Sequence, residues 1–243
     1  MNEQIDPANV NSACPLLEVS IPVDCIRDSR KSSILNLKIH KRHVVWLLGR
    51  SGIGKTTILR TIARLHEKSG VKMKFQGHSS DHIEARRWRR SILYVNQKPV
   101  MFRGSVQENI FKPFGLRLNK NRIPENRAVI TLLKKFCLSE SILGRDAMTL
   151  SVGEATRICL VRSLLLTPDI LLLDEPTASL DLDSRKAVAN ALNEWLSFTD
   201  GAIIGVTHDE TLTKMVSGTE IHLGISGGIP VDPKIISSMK ACD

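Results

Sequence analysis

The sequence predicts an α/β fold, a mostly parallel β-sheet covered by helices on both faces. Three observations carry that expectation. Short, nearly unbroken apolar runs recur at VVWLLG (Val44–Gly49), SILYVNQ (Ser91–Gln97), ILLLDE (Ile170–Glu175) and GAIIGV (Gly201–Val206). Segments with helical apolar spacing lie between them. Each run passes into glycine or polar residues, as strands do when they deliver chemistry at their carboxyl ends.

Taken in order, residues 1–15 are polar and are expected to form a flexible tail. Two β-rich runs follow, at Leu16–Val23 and Ile34–Ile39. The run Val44–Gly49 reads as a buried strand stopped by a glycine. After it, TTILRTIARLHEK has helical spacing at Ile58, Ile62 and Leu65. Ser91–Gln97 is a second apolar strand. Residues 105–143 read as mostly helical, most clearly in ENRAVITLLKKFC, which sets Val129, Leu132, Leu133 and Phe136 on one side. An apolar helix then runs to Leu166, and two further strands end in Asp174-Glu175 and in Thr207-His208-Asp209.

Composition narrows the function classes. A chain of 243 residues, 42% hydrophobic, can bury one sizeable core. No run reaches the roughly 18 to 20 apolar residues needed to span a bilayer. The polar N-terminus lacks the basic and apolar regions of a signal peptide, so a cytoplasmic protein is expected. Five dispersed cysteines without C-x-x-C spacing argue against a disulfide framework or a zinc site, and Cys159 reads as a core residue. The net charge of +9 gathers in runs such as Arg86–Arg90, read as a solvated helix face or a contact for anionic lipid. Aromatics are only 4%, which argues against a base-stacking nucleic-acid groove.

The strongest motif is Gly49-Arg50-Ser51-Gly52-Ile53-Gly54-Lys55-Thr56, followed by Thr57. Glycines let backbone N–H groups wrap a phosphate, and the following helix N-terminus adds its dipole. Lys55 would reach the β- and γ-phosphates, and the Thr56 hydroxyl would ligate Mg²⁺. Asp174 fits a direct or indirect Mg²⁺ partner, and Glu175 is placed to polarise a water attacking the γ-phosphate. A histidine after a strand is commonly structural. His208 nevertheless falls where a γ-phosphate sensor would sit. Gln97 is a candidate contact to Mg²⁺ or to the attacking water.

The order of these motifs, with Leu150-Ser151-Val152-Gly153-Glu154 before LLLDEP and Ser179-Leu180-Asp181 after it, resembles the ATP-binding (ATPase) subunits of ABC transporters over residues 16–225. The resemblance implies a P-loop NTPase core of the ABC ATPase type. It adds an antiparallel β subdomain and an inserted helical subdomain over residues 98–165, within a domain spanning 16–226 and followed by a short tail, 227–243. It implies ATP and Mg²⁺ as cofactors. It also implies a head-to-tail homodimer, in which Ser151, Val152, Gly153 and Glu154 close over the γ-phosphate of the opposite subunit and Ser179 and Asp181 contact that subunit. By the same resemblance Glu175 is the catalytic carboxylate, His208 the switch histidine and Gln97 the hinge glutamine.

MFRGSVQENIF (Met101–Phe111), directly after the Gln97 loop, is similar to the Fet-type bacterial iron exporters. That implies a separate polytopic permease, a peripheral location on the inner face of the cell membrane, and a metal ion or small polar solute as substrate. A soluble ABC-type ATPase serving as an assembly or regulatory module is the other reading. The sequence departs from the family pattern in two places. Val152 and Glu154 replace a glycine and a glutamine of the signature, and Thr156 stands where glutamine is common. Val152 suits its place if the backbone there has negative φ, and is strained if φ is positive. Nothing aromatic precedes Trp46, so the usual adenine-stacking ring is missing. Ile26 or Arg27 would then cover the base, with weak ATP/GTP discrimination.

Overall fold

The computed structural model describes residues 14–23 and 33–223. The expected tails, outside residues 14 and 15, and the base-covering candidates Ile26 and Arg27 lie outside the described residues. The elements run β1 (Leu17–Val23), β2 (Ser33–Ile39), β3 (Val44–Leu48), α1 (Lys55–Ile62), β4 (Lys72–Phe75), β5 (His78–Ser79), α2 (Ala85–Ser91) and β6 (Ile92–Val95). They continue as α3 (Val106–Phe111), α4 (Asn126–Lys135), α5 (Val152–Leu165), β7 (Ile170–Asp174), α6 (Leu182–Phe198), β8 (Ala202–Val206), α7 (Glu210–Met215) and β9 (Thr219–His222).

Two sheets form. One is antiparallel, in the order β2-β1-β4-β5. The other is parallel, in the order β6-β7-β8-β3-β9. Strand alternation divides the parallel sheet between two cores. On one face Val45, Leu47, Ile170, Leu172, Ala202, Ile204 and Val206 pack with α1 and the antiparallel sheet. On the other, Val44, Trp46, Leu171, Leu173 and Ile203 pack with side chains of α3, α4, α5 and α6. Both faces of the sheet are therefore buried, as the unbroken apolar runs require. In a parallel sheet all carboxyl ends lie on one edge. The order β6-β7-β8-β3 thus lines up Gln97, Asp174-Glu175, His208 and the glycine loop.

Several elements differ from the sequence reading. The helix after the glycine loop stops at Ile62 rather than running to Lys68, because Arg64 takes positive φ (55°). Its guanidinium donates to the carbonyls of Ser80 (2.9 Å) and Ile83 (2.6 Å). Residues 105–143 are mostly helical, as expected, but in short pieces: α3 and α4 are separated by two 3₁₀ turns, and a third follows α4. β4, β5, β9 and α6 were not anticipated.

The basic run Arg86–Arg90 forms α2, but it is not simply a solvated face. Trp88 is fully buried and donates from Nε1 to the Ile62 carbonyl (2.7 Å). Arg89 and Arg90 donate to the carbonyls of Arg64 and Leu166, and Arg90 also to Asn119 Oδ1. Cys159 is buried, as expected.

Trp46 shows how tightly the sheet centre is filled. It stands opposite Gly205 in the β3–β8 register, and its indole donates to the Val216 carbonyl (2.9 Å). A Cβ on Gly205 would lie 2.1 Å from the ring. Gly205→Ala is therefore expected to destabilise the fold by about 1–3 kcal/mol, the usual cost of overpacking a rigid core. Urea unfolding monitored by circular dichroism measures this; an unchanged midpoint would contradict the packing described.

Candidate functional site

The carboxyl edge of the parallel sheet opens into a cavity of about 560 Å³. Ser51, Gly52, Gly54, Lys55, Thr56 and Thr57 line it from the glycine loop and α1. Gln97, Asp174, Glu175 and His208 line it from the strand ends. The sheet order thus brings together residues that lie far apart in the chain.

The loop's glycines are dictated by backbone. Gly54 adopts φ 98° directly before α1, a region closed to most side chains. Gly49 has φ 145°, and a Cβ there would meet the Leu223 carbonyl at 2.8 Å. Gly49, Arg50 and Ile53 do not line the cavity, but the first two hold its lysine. Lys55 Nζ donates to the carbonyls of Gly49 (2.6 Å) and Arg50 (3.0 Å). An ammonium has three donors, so one remains for an anion. Lys55 is only 6% exposed, which strengthens its field inside the cavity.

Asp174 is 2% exposed, and both of its oxygens are engaged. Thr56 Oγ1 donates to Oδ1 (3.0 Å), and Tyr94 OH donates to Oδ2 (2.7 Å). Among the described residues its hydrogen-bond partners are hydroxyls, and no cation forms a salt bridge with it. A buried carboxylate satisfied only by hydroxyls favours a nearby cation. This donor set, a carboxylate beside a hydroxyl at the mouth of a phosphate-type loop, fits Mg²⁺.

Tyr94 was not anticipated. Burial, then its bond to Asp174, pushes its phenol up to about 12, with Arg60 opposing. It therefore stays a proton donor. A signal existed: it is the chain's single tyrosine, within an otherwise aliphatic strand. Alternation puts it on the face of Ile92, toward α1, where Asp174 also points.

Glu175 turns the other way. Its backbone leaves β7 at positive φ (49°), uncommon for a non-glycine residue, and is held by its N–H donating to the Val206 carbonyl (2.8 Å). Its Oε2 accepts from the His208 N–H (3.2 Å), and Oε1 lies 3.5 Å from His208 Nε2. Burial raises the Glu175 carboxyl above its ordinary value, against the pull of the His208 amide and ring and of Lys55. Such a carboxylate accepts a proton more readily than an exposed one.

Beside it lies a second unanticipated group. Thr177 Oγ1 donates to Asp209 Oδ2 (2.8 Å), and Arg185 Nη1 lies 3.7 Å from Asp209 Oδ1. All three line the cavity. They bind the loop after Glu175 to the loop after His208.

The residues Ser151 to Glu154 do not line this cavity. They form the N-terminus of α5 as a capping box: Ser151 Oγ accepts from the Glu154 N–H (3.2 Å), and Glu154 Oε2 accepts from the Ser151 N–H (2.9 Å). Val152 is the first residue of α5 and is not at positive φ, so its β-branch fits without backbone strain. Its side chain is 61% exposed. Thr156 links this helix to the loop after β7, with its Oγ1 3.2 Å from Ser179 Oγ. Asp181 caps α6, accepting from the Ser184 N–H and hydroxyl (both 2.9 Å).

Comparison with known proteins accounts for this geometry. A family model described as ABC transporter matches residues 33–178. The chain belongs to the ABC transporter family. Within it, the chain is an ATP-binding subunit of a family that hydrolyses ATP to power transport. It is 30% identical over 196 residues to the probable iron export ATP-binding protein FetA of Escherichia coli (strain K12), covering 81% of this chain and 86% of that one. It is 33% identical over 201 residues to the phosphate import ATP-binding protein PstB of Campylobacter jejuni subsp. jejuni serotype O:2, covering 78% of this chain and 80% of that one. Exporter and importer subunits thus both resemble it. Other relatives are much longer, and the chain spans 14% of the length of two of them.

Among solved structures, cbiO1 from Clostridium perfringens, part of the ABC transporter complex cbiONQ, superposes with a TM-score of 0.70 at 24% identity. The match covers 94% of this chain and 92% of that one. It shows the fold, an ABC ATPase with parallel and antiparallel sheets and helices, as the sequence predicted. Among the described residues no helix is long and apolar enough to cross a membrane.

Two outcomes follow for this site. Tyr94→Phe removes one of the two donors to a buried carboxylate and should cost about 1–3 kcal/mol of stability by denaturant titration; a neutral change would detach Tyr94 from Asp174. Glu175 carries a raised carboxyl, so its charged form weakens the fold. The penalty develops as pH rises from the ordinary carboxylate range through the folded value, and is full above it. Glu175→Gln should therefore have the higher Tm at neutral pH, with the gap closing as pH falls to the ordinary carboxylate range. An equal or lower Tm at neutral pH would contradict the burial penalty.

Proposed function

We propose that this chain is the ATPase motor of a transporter, driving a separate polytopic membrane permease from the inner face of the cell membrane. The observation that supports it most is the single cavity into which Lys55, the Thr56–Asp174 pair and the Glu175–His208 pair all project. Each has a defined part in phosphoryl transfer to water. The N–H groups of Ser51 to Thr57 cradle the phosphates, and the free donor of Lys55 binds the terminal one. Thr56, with Asp174 behind it and Gln97 across the cavity, would hold Mg²⁺. When bound, that ion neutralises charge on the β- and γ-phosphates. Glu175 orients the attacking water and takes up its proton, and His208 donates toward the oxygens where charge develops.

The site is half of a pair. Ser151, Val152, Gly153 and Glu154 lie outside the cavity of their own subunit. In a head-to-tail homodimer this helix end would cap the γ-phosphate held by the second copy through backbone N–H groups and the Ser151 hydroxyl, with the Glu154 carboxylate turned aside, and Ser179 and Asp181 would stand at the subunit contact. ATP closes that dimer, hydrolysis opens it, and the permease follows. Similarity to an iron export subunit favours a metal ion as cargo, with another small polar solute as the alternative.

Removing the carboxylate with Glu175→Gln should leave ATP binding intact and cut turnover by about 100-fold or more, the usual contribution of a general base. Near-normal turnover would remove Glu175 from that role. Lys55→Ala should instead weaken ATP affinity itself, and unchanged affinity in a fluorescent-nucleotide titration would count against the phosphate loop. Affinity capture of the Glu175→Gln variant with ATP from detergent-solubilised membranes tests the partner. A polytopic membrane protein in the eluate supports the motor, while an active enzyme accompanied only by soluble scaffold proteins supports an assembly module. Comparable hydrolysis of GTP and ATP would agree with the missing adenine-stacking ring; a strong ATP preference would contradict it.

A further inference from the structure

An acid stands at the end of α5 where the proposed dimer needs to receive a polyphosphate. Glu154 belongs to the first turn of that helix, and its carboxylate is held below its ordinary value, first by the Ser151 N–H and then by Arg145. It is therefore charged at neutral pH. The helix dipole favours this charge, but left alone the charge would cancel the positive field at the helix end and repel an incoming γ-phosphate. The charge is not left alone. Arg145 Nη1 donates to Glu154 Oε1 (2.7 Å), while Nη2 reaches the Thr149 carbonyl (3.5 Å). Oε2 is occupied by the Ser151 N–H (2.9 Å). Both carboxylate oxygens are thus turned into the loop 145–151 and neutralised there. The backbone of Arg145 is itself fixed, accepting from the Val106 N–H (2.9 Å) and donating to the Ile142 carbonyl (3.1 Å).

We propose that Arg145 is a positioning residue that makes this acidic signature able to receive the triphosphate bound by a second copy of the chain. It acts through Glu154, cancelling its charge and holding it off the phosphate, and does not touch nucleotide in its own subunit. The inference rests on the head-to-tail dimer proposed above. The glutamate makes the arginine necessary; a glutamine there would not.

The experiment measures ATP-driven dimerisation of the whole chain by analytical ultracentrifugation, with Glu175→Gln as parent to arrest turnover. Into it go Arg145→Ala, Glu154→Gln, and both together. A partly exposed ion pair is worth about threefold in affinity per site. Two sites multiply, so Arg145→Ala should weaken the dimer about tenfold, with ATP affinity of the monomer and Tm little changed. Glu154→Gln should tighten it. In the Glu154→Gln background Arg145→Ala should cost less than about twofold, because no charge remains to cancel. An equal loss in both backgrounds, or none in the parent, would overturn the role of Arg145 alone. A parent that binds ATP but stays monomeric would overturn the head-to-tail reading and this inference with it.

Discussion

The buried carboxylate of Asp174 ties the site to the fold. It ends β7, accepts from a hydroxyl on α1 and accepts from a phenol on β6. Those two bonds fix the helix after the phosphate-type loop against the centre of the parallel sheet. Removing either donor from a carboxylate that is only 2% exposed is costly. The neighbouring elements are therefore held in one arrangement. The next residue, Glu175, inherits its position from that arrangement and turns toward β8 through its own bond to Val206.

From this anchor the rest of the edge follows by alternation. Asp174 continues the row of Ile170 and Leu172 toward α1. Glu175 leaves the strand at positive φ and meets the loop after β8, where His208 and Asp209 stand. Thr177 and Arg185 then fasten that loop through Asp209. The Glu175–His208 pair is thus supported from both sides by hydrogen bonds rather than by apolar packing. Such a support can rearrange when charge at the site changes, while the two apolar cores beneath it stay in place.

The second candidate element is built by different means. The start of α5 is a capping box, a local structure that would form in any helix of this sequence. It meets the loop after β7 through the Thr156 hydroxyl against Ser179 and through Gly153, where an added Cβ would lie 3.4 Å from the Ser179 carbonyl. α5 itself is buried between β6, α3 and α4, so its N-terminus cannot shift without disturbing that packing.

The sequence by itself determined the parallel sheet, the phosphate-type loop and the strand-end acids. Each is a local pattern: an unbroken apolar run is a buried strand, and glycines at Gly49 and Gly54 are demanded by backbone φ. Cys159 in an apolar run was legible for the same reason. The extent of the helix after the loop was not, because Arg64 ends it by bonding to carbonyls at Ser80 and Ile83. Arg86 and Arg87 of α2 are exposed as expected, but the bonds of Arg89 and Arg90 were not legible, since their acceptors lie at Arg64 and Leu166. Tyr94, Thr177, Asp209 and Arg185 escaped notice because what they do depends on partners up to 80 residues away, as for Tyr94 with Asp174. Only the tertiary structure decided which residues share the cavity and that the β-branch of Val152 is unstrained. Those outcomes rest on strand order and helix docking, and both are set by contacts between segments whose spacing in the chain carries no local signal.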